Sequence, residues 1–408
     1  MRYLTILVTA AWLAVTACGE RAPEPAQVTA EEVSADGLRE AAMAGVPAGA
    51  FDSVAVLPLT NTLSGEHLWA VHSCGMLNWD MDPRVDHFLA VWTGTDSAWV
   101  ELDRLVFDEE YYSPDFLEPN SVSQIDMTSD FVWMMIEGYV GAHGGTCDLV
   151  TFDGGRLESR FSASFSTPGF AHVENLPADS LPDLVLNFSD PYVFCYASSV
   201  RKADVRVVRW DELDLEMVVM ELQRLPHTAP DELVAGVDRA VDLAEAGLWK
   251  QAMEVIGLLY PADGSLSERD RWTVDWDYVL ISQNAAMAEA LAGGTYPLLE
   301  NVFYGDYEAA TDIARQYAPA DVFSGSSPLI VGTQAEGWEP ELSRELIECS
   351  EAATEVEPGY ADAWFMLGWG TWLADSTSAA VTEYVSRAAA LAPDDTFMAS
   401  CLEYLGSR

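Results

Sequence analysis

Two periodicities divide the chain. From Phe51 to Pro226, short runs of β-branched and aromatic residues recur between turn residues; beyond Pro230, apolar positions return every three or four residues. The first pattern alternates side chains across a strand, and the second lines them along one stripe of a helix. An all-β domain is therefore expected over 51–226 and an all-α domain over 227–408. Strands are expected at Ser53–Leu59, His87–Thr93, Trp99–Val106, Phe131–Tyr139, Thr146–Phe152, Asp183–Phe188, Tyr192–Tyr196 and Val205–Trp210. Asp153-Gly154-Gly155 supplies a turn. In the second part Asp231 is placed to cap a helix running to about Ala246, and Gly247 ends it. The next helix starts from Leu248, with Trp249, Ala252 and Ile256 on one stripe.

A third pattern precedes both. Tyr3 to Val15 is a mainly apolar run behind Arg2, shorter than the ~20 residues of a membrane span, and it closes on Val15-Thr16-Ala17-Cys18. Small residues directly before a cysteine resemble the lipobox of bacterial lipoproteins. That resemblance implies that 1–17 is a cleaved signal peptide and that Cys18 carries lipid. Gly19 stands where an aspartate would retain a lipoprotein at the inner membrane, so likeness to sorted lipoproteins implies the outer membrane, at its periplasmic face or at the cell surface. Residues 18–50, rich in Pro, Ala, Gly and acids, read as a flexible tether with room for a brief helix over 31–44.

Charge narrows the partners. Sixty-six acidic residues against 20 basic ones give a formal net charge of −46, which excludes nucleic acid, since that binding rests on neutralising phosphates. The only lysines are Lys202 and Lys250. Half of the residues are hydrophobic, too many for a wholly disordered chain.

Asn175-Leu176-Pro177-Ala178-Asp179-Ser180-Leu181-Pro182-Asp183-Leu184 resembles the D-L-N-G-D-G-L-P-D-L signature of integrin-like (FG-GAP-type) β-propeller repeats, and a shorter copy starts at Asp126-Met127-Thr128-Ser129-Asp130. The resemblance implies blade-like units, too few to close a propeller, hence a partial-propeller or sandwich-like domain. It also implies calcium on the loop acids, because a hard cation takes several oxygens. Asn175, Pro177 and Ser180 depart from the signature and favour a turn that has lost its metal; Asp179 and Asp183 remain the candidate ligands. No other cofactor is expected.

Gly247-Leu248-Trp249-Lys250-Gln251-Ala252 and Gly305-Asp306-Tyr307-Glu308-Ala309-Ala310 share a layout of glycine, aromatic and alanine, and Trp364, Leu367, Gly368, Ala380, Tyr384 and Pro393 follow the tetratricopeptide pattern. This resemblance implies about three irregular helical hairpins stacked as a solenoid with a concave face. Phe365, Trp369 and Trp372 either line that groove as partner-binding residues or lie beneath the end helix over 394–406. The same alternative holds for Trp272, Trp276 and Tyr278, which are interleaved with Asp275 and Asp277.

Catalytic patterns are missing from the sequence. His67, His72 and Cys74 match no familiar metal spacing, and no serine or cysteine sits in a nucleophile elbow. With Cys18 taken by lipid, Cys349 is expected to pair with Cys401, and one pair is expected among Cys74, Cys147 and Cys195. The expectation is a non-enzymatic, lipid-anchored binding or scaffold protein of the bacterial envelope with protein partners. Calcium or glycan binding is the alternative, and an unrecognised hydrolase comes third.

Overall fold

The computed structural model describes residues 30–408 apart from 61–64, 66, 95–97, 109–112, 168, 177–181, 190–192 and 261–265. An antiparallel β region gives way at Asp231 to a helical region, as the change of period requires. Its strands are β1 (Ser53–Leu59), β2 (Leu68–Met76), β3 (Phe88–Gly94), β4 (Trp99–Val106), β5 (Phe116–Leu117), β6 (Val122–Ile125), β7 (Val132–Val140), β8 (Gly144–Phe152), β9 (Leu157–Phe165), β10 (Ala171–Asn175), β11 (Pro182–Asn187), β12 (Val205–Asp211) and β13 (Glu216–Val219). Helix α1 (Ala30–Met43) precedes them. After them come α2 (Asp231–Glu245), α3 (Trp249–Leu259), α4 (Glu268–Leu291), α5 (Pro297–Tyr304), α6 (Tyr307–Ala314), α7 (Pro319–Val322), α8 (Glu339–Val356), α9 (Ala361–Ala374), α10 (Ala379–Leu391) and α11 (Thr396–Gly406).

Among the described residues β1 to β9 form one nine-stranded sheet in the order β4-β3-β2-β5-β7-β8-β9, with β1 added to β2 and β6 to β7. The sheet curls into a half-barrel. Its ends come close enough for the Leu157 amide of β9 to donate to the Asp103 carboxylate of β4 at 2.7 Å. Leu68, Ala70, Leu89, Met134 and Phe152 fill the inside. Val71, one step out of phase with Ala70, points outward, as a period of two demands.

Helix α1 covers that outer face. Leu38 and Ala42, four residues apart on one stripe, are buried there with Phe51, Phe88 and Trp92. The tether expected over 18–50 therefore ends earlier than its composition suggests, because two apolar positions suffice to seat a short helix on an open sheet face.

A second sheet, β10-β11-β12-β13, runs in chain order as a four-stranded antiparallel meander. Alternate residues serve two cores. Leu184, Leu186, Val208 and Trp210 pack with Trp133 and Leu149 of the large sheet. Val185, Val205 and Val207 pack with Trp276, Val279 and Leu280 of α4. The small sheet is thus the middle layer of three, which explains why β11 and β12 are apolar on both faces.

Tyr192–Tyr196 is not a strand in its described part: residues 193–195 are irregular and Tyr196–Ser198 is a turn of 3₁₀ helix. Phe194 instead turns into the helical core, 5.9 Å from the Tyr296 ring, and Val200, Leu225 and Ala229 join it there. The helical core thus draws residues from both sides of Pro226.

In the helical region consecutive helices pack in pairs. Asp231 is the first residue of α2, with Pro230 at the cap position. Gly247 and Gly305 both adopt a positive φ after a helix, at 72° and 88°. The two turns also touch. The Gln251 amide donates to the Gly305 carbonyl at 3.0 Å, and a Cβ on Gly305 would fall 2.8 Å from the Leu248 Cα.

Candidate partner-binding groove

A groove lies where the small sheet ends. β13 is its last strand, and the β12–β13 hairpin leaves Leu213 93% exposed at the tip, with Leu215, Val218 and Val219 partly exposed beside it. Val218 pairs with Arg209 and Trp210 with Met217, so Arg209, Val218 and Met220 share the face toward α4. Trp272, in the first turns of α4, closes the other wall of a cavity of about 690 Å³. The Met220 amide donates to the Val207 carbonyl at 2.8 Å, which sets the phase of the ladder. By alternation, the backbone groups of Met217 and Val219 point away from β12, toward the open edge. Asp211, Glu212 and Glu221 surround these apolar positions with negative charge.

Arg209 forms the floor. Its guanidinium donates from Nε and Nη2 to the Asp183 carboxylate at 2.9 and 3.2 Å and lies 4.3 Å from the Trp276 ring centroid. Asp183 is fully buried, and its charge is matched by the fork of an arginine. Of the two candidate calcium ligands, Asp183 thus faces Arg209, and Asp179 lies outside the described residues. No cluster of three His, Cys, Asp or Glu side chains suited to a metal occurs among the described residues. In the shorter copy Thr128 accepts a hydrogen bond from the Trp133 indole at 3.1 Å, and so serves the core.

Beneath the groove lies Asp277. Its Oδ1 accepts the Gln223 amide at 2.9 Å, and burial pushes its carboxyl up to about 7. The sequence places Asp277 beside Trp276, and both are buried, whereas Trp272 reaches the groove. Nothing in the groove unites a nucleophile with a base; an open strand edge beside apolar side chains is equipped to hold a chain.

Phe365, Trp369 and Trp372 are core residues, so of the two readings of their spacing the buried one holds and the partner-binding one is corrected. Val322 and Phe323 cover them: the Trp369 indole donates to the Val322 carbonyl at 3.3 Å, and the Phe323 ring lies 6.4 Å from Phe365 and 5.8 Å from Trp372. Phe397 of α11 closes on Phe365 at 5.3 Å. Cys349 and Cys401 are free thiols, so their expected disulfide is also corrected, and Cys74, Cys147 and Cys195 are free as well. The reason is placement, since Cys401 is sealed in the helical core while Cys349 faces Lys202, with Nζ 3.9 Å from Sγ. Burial holds the Cys349 thiol up at about 11 despite the lysine.

One constellation escaped the sequence pattern. Ser73 Oγ lies 2.8 Å from His87 Nδ1 and accepts the Phe88 amide at 3.0 Å. Ser73 and His87 are both fully buried, and His87 stacks on Phe51 at 5.1 Å, so the pair is enclosed in the core. Burial drives the His87 imidazole down to about 4, and it lowers His72 too; Cys74, 3.7 Å from His72 Nδ1, is pushed up to about 11. The groove's own signal was present in the sequence: Glu216-Met217-Val218-Val219-Met220 after the acidic turn Asp211 to Asp214 is a second hairpin strand.

No protein family, curated protein or solved structure matches this chain. No helix among the described residues is long and apolar enough to cross a membrane.

Proposed function

We propose that this chain is an exported, lipid-anchored binding protein of the bacterial envelope, non-enzymatic, which holds an extended segment of a protein partner along β13. One observation carries the reading: an open strand edge, four exposed apolar side chains and an open groove coincide at the end of the small sheet. Strand addition draws affinity from backbone hydrogen bonds and specificity from pockets for alternate side chains. The acids on the rim, in a chain of charge −46, select a partner segment that alternates apolar and basic residues. The lipobox-like leader supports attachment through Cys18, with the outer membrane as the address.

The finer architecture enters the same proposal. The four-stranded meander serves as a blade-like unit, and the helical pairs serve as an irregular tetratricopeptide-like stack that supports it through α4. Fluorescence anisotropy with a labelled peptide of alternating valine and lysine tests the groove. Binding weakened by Val219→Glu and undetectable with a valine–glutamate peptide supports the reading; equal binding of both peptides, or none, removes it. Fatty-acid labelling that persists in Cys18→Ala would sink the anchor.

A further inference from the structure

We propose that Lys202 and Cys349 are a modification site: peroxide joins them through a sulfur–nitrogen bond, a sulfenamide that clips the loop before β12 to helix α8. The two are 147 residues apart in sequence, yet the ammonium and thiol meet at 3.9 Å. In a chain with 66 acids and two lysines, this meeting is conspicuous. Lys250 is ion-paired with Asp306 at 2.6 Å, whereas Lys202 makes no carboxylate pair among the described residues and rests over the Phe303 ring at 5.4 Å. A cavity of about 210 Å³ borders both side chains and admits a molecule the size of peroxide. Among the described residues every cysteine is free, so an oxidised Cys349 has an amine at hand and no disulfide partner among them.

The chemistry balances. In alkaline buffer the Cys349 thiol gives up its proton, and the thiolate attacks one peroxide oxygen; the O–O bond breaks, and the departing hydroxide takes up a proton as water, leaving a sulfenic acid. The neutral Lys202 amine then attacks sulfur, the S–O bond breaks, and the departing hydroxide takes the amine proton as a second water. Thiol, amine and one peroxide become an S–N bond and two waters; sulfur loses two electrons and peroxide gains them. A thiol reverses the step by attacking sulfur and releasing the amine. Because the clip closes a long loop, it restricts the unfolded chain as a disulfide does.

The test treats the purified full chain with equimolar hydrogen peroxide in mildly alkaline buffer and maps the peptides by mass. Expected is a Lys202 peptide joined to a Cys349 peptide at their summed mass less two hydrogens, dissolved by dithiothreitol, with a raised thermal midpoint before reduction. Lys202→Arg, confirmed as folded by its own melting curve, abolishes the joined species and leaves a sulfenic acid that dimedone traps. Cys349 found as thiol, sulfinic acid or dimedone adduct in the wild type, with Lys202 unmodified, overturns the proposal.

Discussion

The Arg209 guanidinium is held between the Asp183 carboxylate and the face of Trp276, 4.3 Å from its ring centroid, and so fastens the small sheet to helix α4. Asp183 is fully buried, and removing Arg209 takes away the cation that faces its charge. Arg209→Ala is expected to cost about 3–5 kcal/mol of folding free energy. Arg209→Lys keeps the charge but loses the fork and the flat face, and falls between. Urea denaturation measures both; an alanine variant within about 0.5 kcal/mol of wild type refutes the account, since that is the range of an unconstrained surface change.

Surface and core substitutions separate cleanly. Phe365→Ala empties a fully buried site and should cost about 3–5 kcal/mol. Leu213→Asp, at the exposed hairpin tip, should change stability by less than about 0.5 kcal/mol. It should also weaken binding of the alternating valine–lysine peptide by about 1–2 kcal/mol, the worth of one apolar contact. Anisotropy titrations beside melting curves give both quantities for each variant.

Gly305→Ala combines two penalties. At φ 88° a side chain is strained, and its Cβ would fall 2.8 Å from the Leu248 backbone. The expected loss is about 1–3 kcal/mol, with Gly247→Ala, whose Cβ meets nothing within 4 Å, losing only the backbone part. Equal losses at the two positions would contradict the packing of the turns.

Acid acts on His87 in a definite direction. Its folded value, about 4, lies below the ordinary 6.5, so the folded state disfavours the proton. Above 6.5 neither state binds it, and the contribution is flat. Between 6.5 and about 4 only the unfolded chain is protonated, so stability falls as pH falls, by about 3 kcal/mol in all. His87→Phe should flatten that part of the stability–pH curve.

Asp148 acts oppositely. Burial raises its carboxyl from 3.8 to about 7, while the Ser162 hydroxyl, which donates to it, pulls it down. The folded state therefore keeps the proton, and stability present below pH 3.8 is lost as pH rises through about 7. Asp148→Asn stays neutral throughout, so its stability relative to wild type should rise between pH 4 and 8, measured by thermal midpoint.

Legibility followed the covering of each face. Ser53–Leu59 and Trp99–Val106 were readable to the residue from their runs of β-branched and aromatic residues. β2 was harder, since its Leu68–Met76 run carries His72, Ser73 and Cys74, polar groups that are satisfied only once β3 and Phe51 are in place. The spacing of Phe365, Trp369 and Trp372 gave two readings; what decided between them was Val322, the last residue of the four-residue helix α7, and Phe323 after it, too short an element to leave a periodic signal. Asp183 looked like a loop acid because its partner Arg209 lies 26 residues on, across a hairpin. Of the groove, Trp272 was in view, whereas β13, four residues long, left only the short apolar run from Met217 to Met220 as its signal.

The acids beside β13 have a second effect. An open strand edge invites an identical edge from another copy, the first step toward a growing ribbon. Here Glu216 begins the strand and Glu212 and Asp214 fill the turn before it, so two such edges meet with like charges aligned. The hairpin repels its twin over roughly 8–10 Å at physiological ionic strength and loses that guard in concentrated salt. Solubility of this protein is thus written at its stickiest edge, and salt is the condition that erases it.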